Sequence, residues 1–155
     1  MRISSILALL LTAAGCSTQA PSKHFVIPVG FSGVFKVEKV PNYTGGYQVD
    51  GSCYIFTIPD NGILYVEPDV FNNYIRPCNE FTVSFADGQK IILYPPLANP
   101  SDYKPETQML LGLVGSQNAI WFAVGTHDQL SRFLEDVRQA KYQNLEQYLP
   151  PNVPF

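Results

Sequence analysis

EFTVSFADGQKIILY, residues 80 to 94, decides the fold class. Two alternating runs flank Asp87-Gly88, a pair that favours a primed two-residue hairpin turn. With that turn, Ala86 pairs with Gln89, Phe85 faces Lys90, Val83 faces Ile92 and Phe81 faces Tyr94. Phe81, Val83, Phe85, Ile92 and Tyr94 then share one face, the expected core face. Ile91 and Leu93 lie on the other, opposite Ser84 and Thr82. Period-2 alternation on both sides of a tight turn reads as antiparallel strand, not helix.

Working upstream, the same grammar recurs. FVIPV, from Phe25, is a short apolar strand, and Pro28 belongs at its end because it has no N–H to donate. VFKVEKV, residues 34 to 40, alternates, with Lys36 and Glu38 on an expected wet face. GYQVD and CYIFTI follow. Pro59-Asp60-Asn61-Gly62 is a turn rich in residues that tolerate positive φ, and ILYVE returns from it. Downstream, residues 95 to 118 open with four prolines, and MLLGLVG offers a further strand. AIWFAVG, residues 119 to 125, is apolar on both faces, as in a central strand covered on both sides. The cover is the next element. Thr126 and Gln129 form a capping box, and Leu130, Phe133, Leu134 and Val137 make one apolar helical stripe. Asp128 and Arg132 make an i, i+4 pair. The expected fold is mainly β: a single β-sandwich-like domain with one C-terminal α-helix, about residues 127 to 142.

The N-terminus is built differently. Met1-Arg2 is a short positive start, Ile3 to Leu11 is mostly apolar, and Thr12 to Gly15 are small. That is a secretory leader, too short to span a bilayer, which needs roughly 20 apolar residues. A cut after Gly15 could release a soluble protein with three cysteines, Cys16, Cys53 and Cys78. An odd thiol in an oxidising space invites wrong pairing. The alternative resembles the bacterial lipoprotein signal: Ala14-Gly15-Cys16 fits its pattern, while Ala13 stands where leucine is commoner. Acylation of Cys16 would leave Cys53 and Cys78 as an even pair. Their disulfide would close a loop of about 25 residues, worth roughly 3 kcal/mol. The reading adopted is residues 1–15 as lipoprotein signal peptide, 16–23 as lipidated tether and 24–155 as the β domain. STQAPSK, residues 17 to 23, would reach roughly 15 Å. Ser17 rather than Asp after the cysteine implies outer-membrane sorting, facing the periplasm, in a host with two membranes.

Of 155 residues, about 140 remain after Gly15, and loss of Arg2 takes the formal charge from -3 to -4. A mildly acidic domain without a basic run gives no electrostatic pull toward nucleic acid or anionic lipid. Membrane attachment therefore falls to acyl chains on Cys16. The chain shows no catalytic set, no metal cluster and no phosphate-cradling loop, so no cofactor is expected. The histidines, His24 and His127, suit surface and capping roles. Gly30-Phe31-Ser32-Gly33 is not the strand-to-helix elbow that exposes a nucleophilic serine. Tyr43, Tyr47, Phe71, Tyr74 and Tyr103 fall in expected turns or loops and are the candidate binding aromatics, since aromatics concentrate in interfaces.

Three motifs resemble an uncharacterised family of small bacterial exported proteins and lipoproteins. They are FVIPVGFSG (Phe25 to Gly33) followed by VFKV, then Asp50-Gly51 with IPDNGIL (Ile58 to Leu64), then WFAVGT (Trp121 to Thr126) leading into the last helix. The resemblance implies a compact β domain with a terminal helix and no particular activity. The function expected is a lipid-anchored envelope binding module, without enzyme activity, whose partner is another envelope protein or a cell-wall component. The alternatives are an envelope hydrolase with an unrecognised site, or an inhibitor or immunity-like lipoprotein.

Overall fold

In the computed structural model, residues 22–51, 53–74, 81–95, 102–140 and 143–150 are described. The leader, Cys16, residues 17–21, Cys78 and the final five residues lie outside them. The fold is mainly β. Among the described residues, nine strands form one curled sheet: β1 (Ser22–Ile27), β2 (Gly33–Lys39), β3 (Gln48–Asp50), β4 (Cys53–Thr57), β5 (Ile63–Val66), β6 (Phe81–Phe85), β7 (Lys90–Leu93), β8 (Gln108–Gly115) and β9 (Ala119–Thr126). Their spatial order is β3-β4-β1-β6-β7-β8-β9-β2-β5. The ladder is mixed. β1 runs parallel to both β4 and β6, β2 is parallel to β5, and β7 is parallel to β8.

Curling brings the two halves of the sheet face to face, as in a sandwich, around four phenylalanines. Phe25 on β1 stacks on Phe56 of β4 at 5.1 Å and meets Phe122 of β9 at 5.6 Å. Phe122 stacks on Phe35 of β2 at 5.0 Å. Aromatic pairs at such separations contribute about 0.5–1.5 kcal/mol beyond their burial. Lys23 aligns with Phe25 and Ile27 on the inward face and is 2 % exposed. The first described strand thus includes Ser22 and Lys23, ahead of the expected His24, and Lys23 is no part of a solvated tether. Pro28 does end β1.

The outer face of β8-β9-β2 is covered as expected. Helix α2 (His127–Gln139) lays Leu130, Phe133 and Val137 against Met109, Trp121, Ala123 and Val34. Both capping-box bonds form: Gln129 N donates to Thr126 Oγ1 at 3.4 Å and Thr126 N to Gln129 Oε1 at 2.8 Å. The helix stops at Gln139, short of Tyr142, and a 3-10 turn (Leu145–Tyr148) adds Leu145 and Leu149 to this second cluster. The outer face of β2 is accordingly not wet. Val34 is fully buried, and Lys36 lies over the Trp121 ring, 5.3 Å from its centroid, and pairs with Glu38 at 2.8 Å. Arg132 donates from Nε to the Asp128 backbone carbonyl at 3.3 Å, so the expected pairing runs through the main chain.

Three other expectations are corrected. The 80–94 hairpin forms, but Val83 pairs with Ile91 and Ser84 with Lys90. Phe85 N donates to Gln89 O at 2.8 Å, which leaves Ala86, Asp87 and Gly88 as a three-residue loop. Gly88 has φ 89, the left-handed residue of the bulged three-residue hairpin. One residue of slip exchanges the faces: Ile91 is buried, Ile92 is 37 % exposed, and Tyr94 joins the second cluster as a half-buried residue. Next, ILYVE does not return along CYIFTI. The turn at 59–62 forms, with Gly62 N donating to Pro59 O at 2.9 Å, yet it carries the chain across to β2, where Lys36 pairs with Ile63. Last, a short helix, α1 (Pro68–Tyr74), precedes the hairpin. Pro68 suits the first helical position, where no N–H is needed, and Val70 and Phe71 close one end of the phenylalanine core.

Candidate functional site

Parallel pairing of β1 with β6 sets His24 beside Thr82. Strand alternation then sends Phe25 and Val83 inward and aims His24, Thr82 and Ser84 at the outer face. His24 Nδ1 lies 2.7 Å from Thr82 Oγ1, and Nε2 lies 3.0 Å from Ser84 Oγ. Which hydroxyl accepts from the ring and which donates to it follows the tautomer of the imidazole. Thr82 Oγ1 is also placed to donate to the Lys23 carbonyl, at 3.4 Å. The imidazole is thus fixed by two hydroxyls on one strand.

These groups line a cleft of about 630 Å3 with Lys90, Ile92 and Leu93 of β7. Leu93 is 55 % exposed. A concave apolar surface with a few convergent polar groups is the usual form of a binding site. The Ser84–His24 distance also suits a nucleophile and its base, but acyl transfer further needs free N–H donors for the oxyanion. Here the next two amides are committed: Phe85 N to Gln89 O and Ala86 N to Ile27 O, both at 2.8 Å. Ser84 is itself 8 % exposed, and the group on the far side of the ring is a hydroxyl rather than a carboxylate.

His127 has neighbours of the right types in the wrong arrangement. Asp128 Oδ1 at 3.6 Å and Ser131 Oγ at 3.5 Å both approach Nδ1. A relay needs the two partners on opposite nitrogens. The ring stacks on Tyr94 at 5.4 Å, and the Tyr94 hydroxyl meets Ser131 Oγ at 3.1 Å. His127 thereby fastens the start of α2 to the end of β7.

The candidate aromatics are dispersed rather than gathered. Phe71 is a core residue. Tyr47 donates to Glu67 Oε1 at 2.7 Å and meets the Tyr54 ring at 5.2 Å, tilted by 45°. Tyr103 packs against the α2 cluster. Tyr43 is exposed beside Tyr65, ring centroids 6.4 Å apart. Tyr74 ends α1, with its side chain outside the described residues. Cys53 is a half-buried free thiol whose Sγ is 3.8 Å from the Tyr54 carbonyl, while Cys16 and Cys78 lie outside the description. Among the described residues no group of three or more His, Cys, Asp or Glu could hold a metal ion.

His24, Thr82 and Ser84 did not stand out as a set in the sequence. Polar residues two apart in β6 were visible; their histidine became a neighbour only through a parallel pairing across nearly 60 positions, which no local signal encodes.

No family model matches the chain, and no curated protein matches it. Among solved structures, it is similar to a crystal structure described as "Putative Lipoprotein from Bacillus anthracis", with 10 % identity and a TM-score of 0.40 over 84 % of this chain and 98 % of that one.

Proposed function

We propose that the protein is a lipid-anchored binding module of the bacterial cell envelope. It is held by acyl chains on Cys16, on the outer membrane facing the periplasm where two membranes exist, and it engages another envelope protein through the His24 cleft. The carrying observation is the position of that cleft. His24 is the third residue of β1, and only residues 17–21 separate the start of the strand from Cys16. Five residues span at most about 18 Å even when fully extended. The cleft therefore opens close to lipid, within reach of membrane-proximal partners. Exposed Ile92 and Leu93 offer an apolar seat, with Lys90 and the hydroxyl-held imidazole to fix orientation. Among the described residues no helix is long and apolar enough to cross a membrane.

The test is a photo-crosslinking residue at Leu93 in intact cells. A reproducible adduct with one envelope protein is expected, lost when Ile92 and Leu93 are both changed to serine. Absence of any reproducible adduct contradicts the reading. Inhibition of an envelope-targeting factor is a special case, identified by which partner is captured.

A serine-hydrolase reading has one observation in its favour, the 3.0 Å contact of His24 Nε2 with Ser84 Oγ. With the following amides committed to the sheet, a fluorophosphonate probe is expected to leave Ser84 unlabelled. Stoichiometric labelling that disappears in Ser84→Ala would establish the hydrolase instead.

A further inference from the structure

The His24 cleft is also a fork in the sheet. The β6–β7 ladder sets Ser84 against Lys90 and Val83 against Ile91, and stops there. β7 then leaves β6 and pairs in parallel with β8, Ile92 beside Met109 and Leu93 beside Leu110. Backbone polar groups alternate sides along a strand. On β7, Tyr94 N donates to Leu110 O at 2.8 Å, so the even residues serve β8 and the N–H and C=O of Leu93 point away from it, into the fork. On β6, Ala86 N donates to Ile27 O, so the even residues serve β1 and Phe81 faces the fork from the other arm. Phe81 and Leu93 would be the next hydrogen-bonded pair of the hairpin, and they are not paired. Leu93 also shares the parity of buried Ile91, yet its side chain is exposed. Free strand edges of this kind are templates for another strand.

Three features narrow the occupant. The open main-chain groups of Leu93 call for an extended polypeptide segment, which would pair with that arm as an added strand. Exposed Ile92 and Leu93 call for apolar side chains on it. The Val83–Ile91 pair closes the fork, so an added strand cannot continue between β6 and β7 past that point, and a chain end fits without a turn. Lys90 stands one residue beyond the closed end. Apart from the His24 imidazole it is the one charged side chain among the described lining residues, and it pairs with no carboxylate among them. A cation there favours a carboxylate end over an ammonium end. We infer that the fork takes the apolar carboxy-terminal segment of a partner protein, laid along Leu93 with its terminal carboxylate toward Lys90. The inference rests on the reading of this cleft as a partner site and adds which part of the partner enters it.

The test selects on the full-length protein in detergent micelles. The probes are synthetic octapeptides randomised at every position, one library with free carboxy termini and one amidated. Enrichment of free-ended peptides with apolar residues near the end is expected. The best of them should bind about fivefold more weakly when amidated, the scale of one exposed ion pair, and in Lys90→Gln that ratio should fall toward one. The Leu93 amide should exchange freely with solvent in the unliganded protein and be slowed at saturating peptide. Four results would overturn the inference: no enrichment from either library, equal binding of free and amidated peptides, a ratio unchanged in Lys90→Gln, or a Leu93 amide already protected without peptide or unaffected by it. A Leu93 cross-link in cells without peptide enrichment would keep the partner and remove the carboxy-terminal mode. Enrichment without a cross-link would support the mode and remove the envelope partner.

Discussion

Phe25→Ala is expected to cost about 3–5 kcal/mol of folding stability, the range for deleting a buried phenylalanine. Its ring is fully buried and touches Phe56 on its own half of the sheet and Phe35 and Phe122 on the other. Removing it takes away the wedge between the two halves and leaves a void that strands on both sides cannot fill together. A domain of this size has only about 5–15 kcal/mol in total, so the variant should melt far earlier or fail to accumulate. Val49→Thr on the exposed edge strand β3 is the control, because Val49 is 60 % exposed; surface changes of this kind stay within about 0.5 kcal/mol. Equilibrium denaturation of both variants decides the matter. A Phe25→Ala cost as small as that of the control would mean that the halves do not meet at this ring.

Cys16→Ser should have the larger effect in the cell. Exported behind a leader that the general signal peptidase cleaves, the variant is expected to move almost wholly from the detergent phase to the aqueous phase on phase separation. Stable anchoring by lipid takes two chains or a chain with a basic patch, and the mature chain has no basic run. On the proposed reading, the substitution removes the sulfur that carries the acyl chains, and with it the anchor. Retention of Cys16→Ser in the detergent phase would show that another part of the protein binds lipid, and the membrane-proximal placement of the His24 cleft would lose its basis.

The features legible in the sequence are those written in local periodicity. β9 and α2 follow from an all-apolar run, a capping box and one helical stripe within residues 119–139, and their packing follows from the same residues. Non-local pairing was not legible. Pro59-Asp60-Asn61-Gly62 has the composition of a hairpin turn, yet the strand after it pairs in parallel with β2, a choice made by burial of Leu64 and Val66 in the phenylalanine core. Asp87-Gly88 suits both a two-residue and a three-residue loop; Gly88 taking the left-handed position selects the latter and exchanges Ile92 for Ile91 in the core. That single slip also creates the candidate site, since it is what turns Ile92 outward beside His24. Phe71 carries no helical signal in the sequence, because a seven-residue helix opened by Pro68 has too few turns to show a stripe.

The mass of the mature protein recovered from its native membrane tests the central claim most directly. A chain that starts at Cys16 and carries diacylglyceryl mass on that residue is expected. An uncleaved chain from Met1, or a mature chain whose Cys16 sulfur is unmodified, would contradict it.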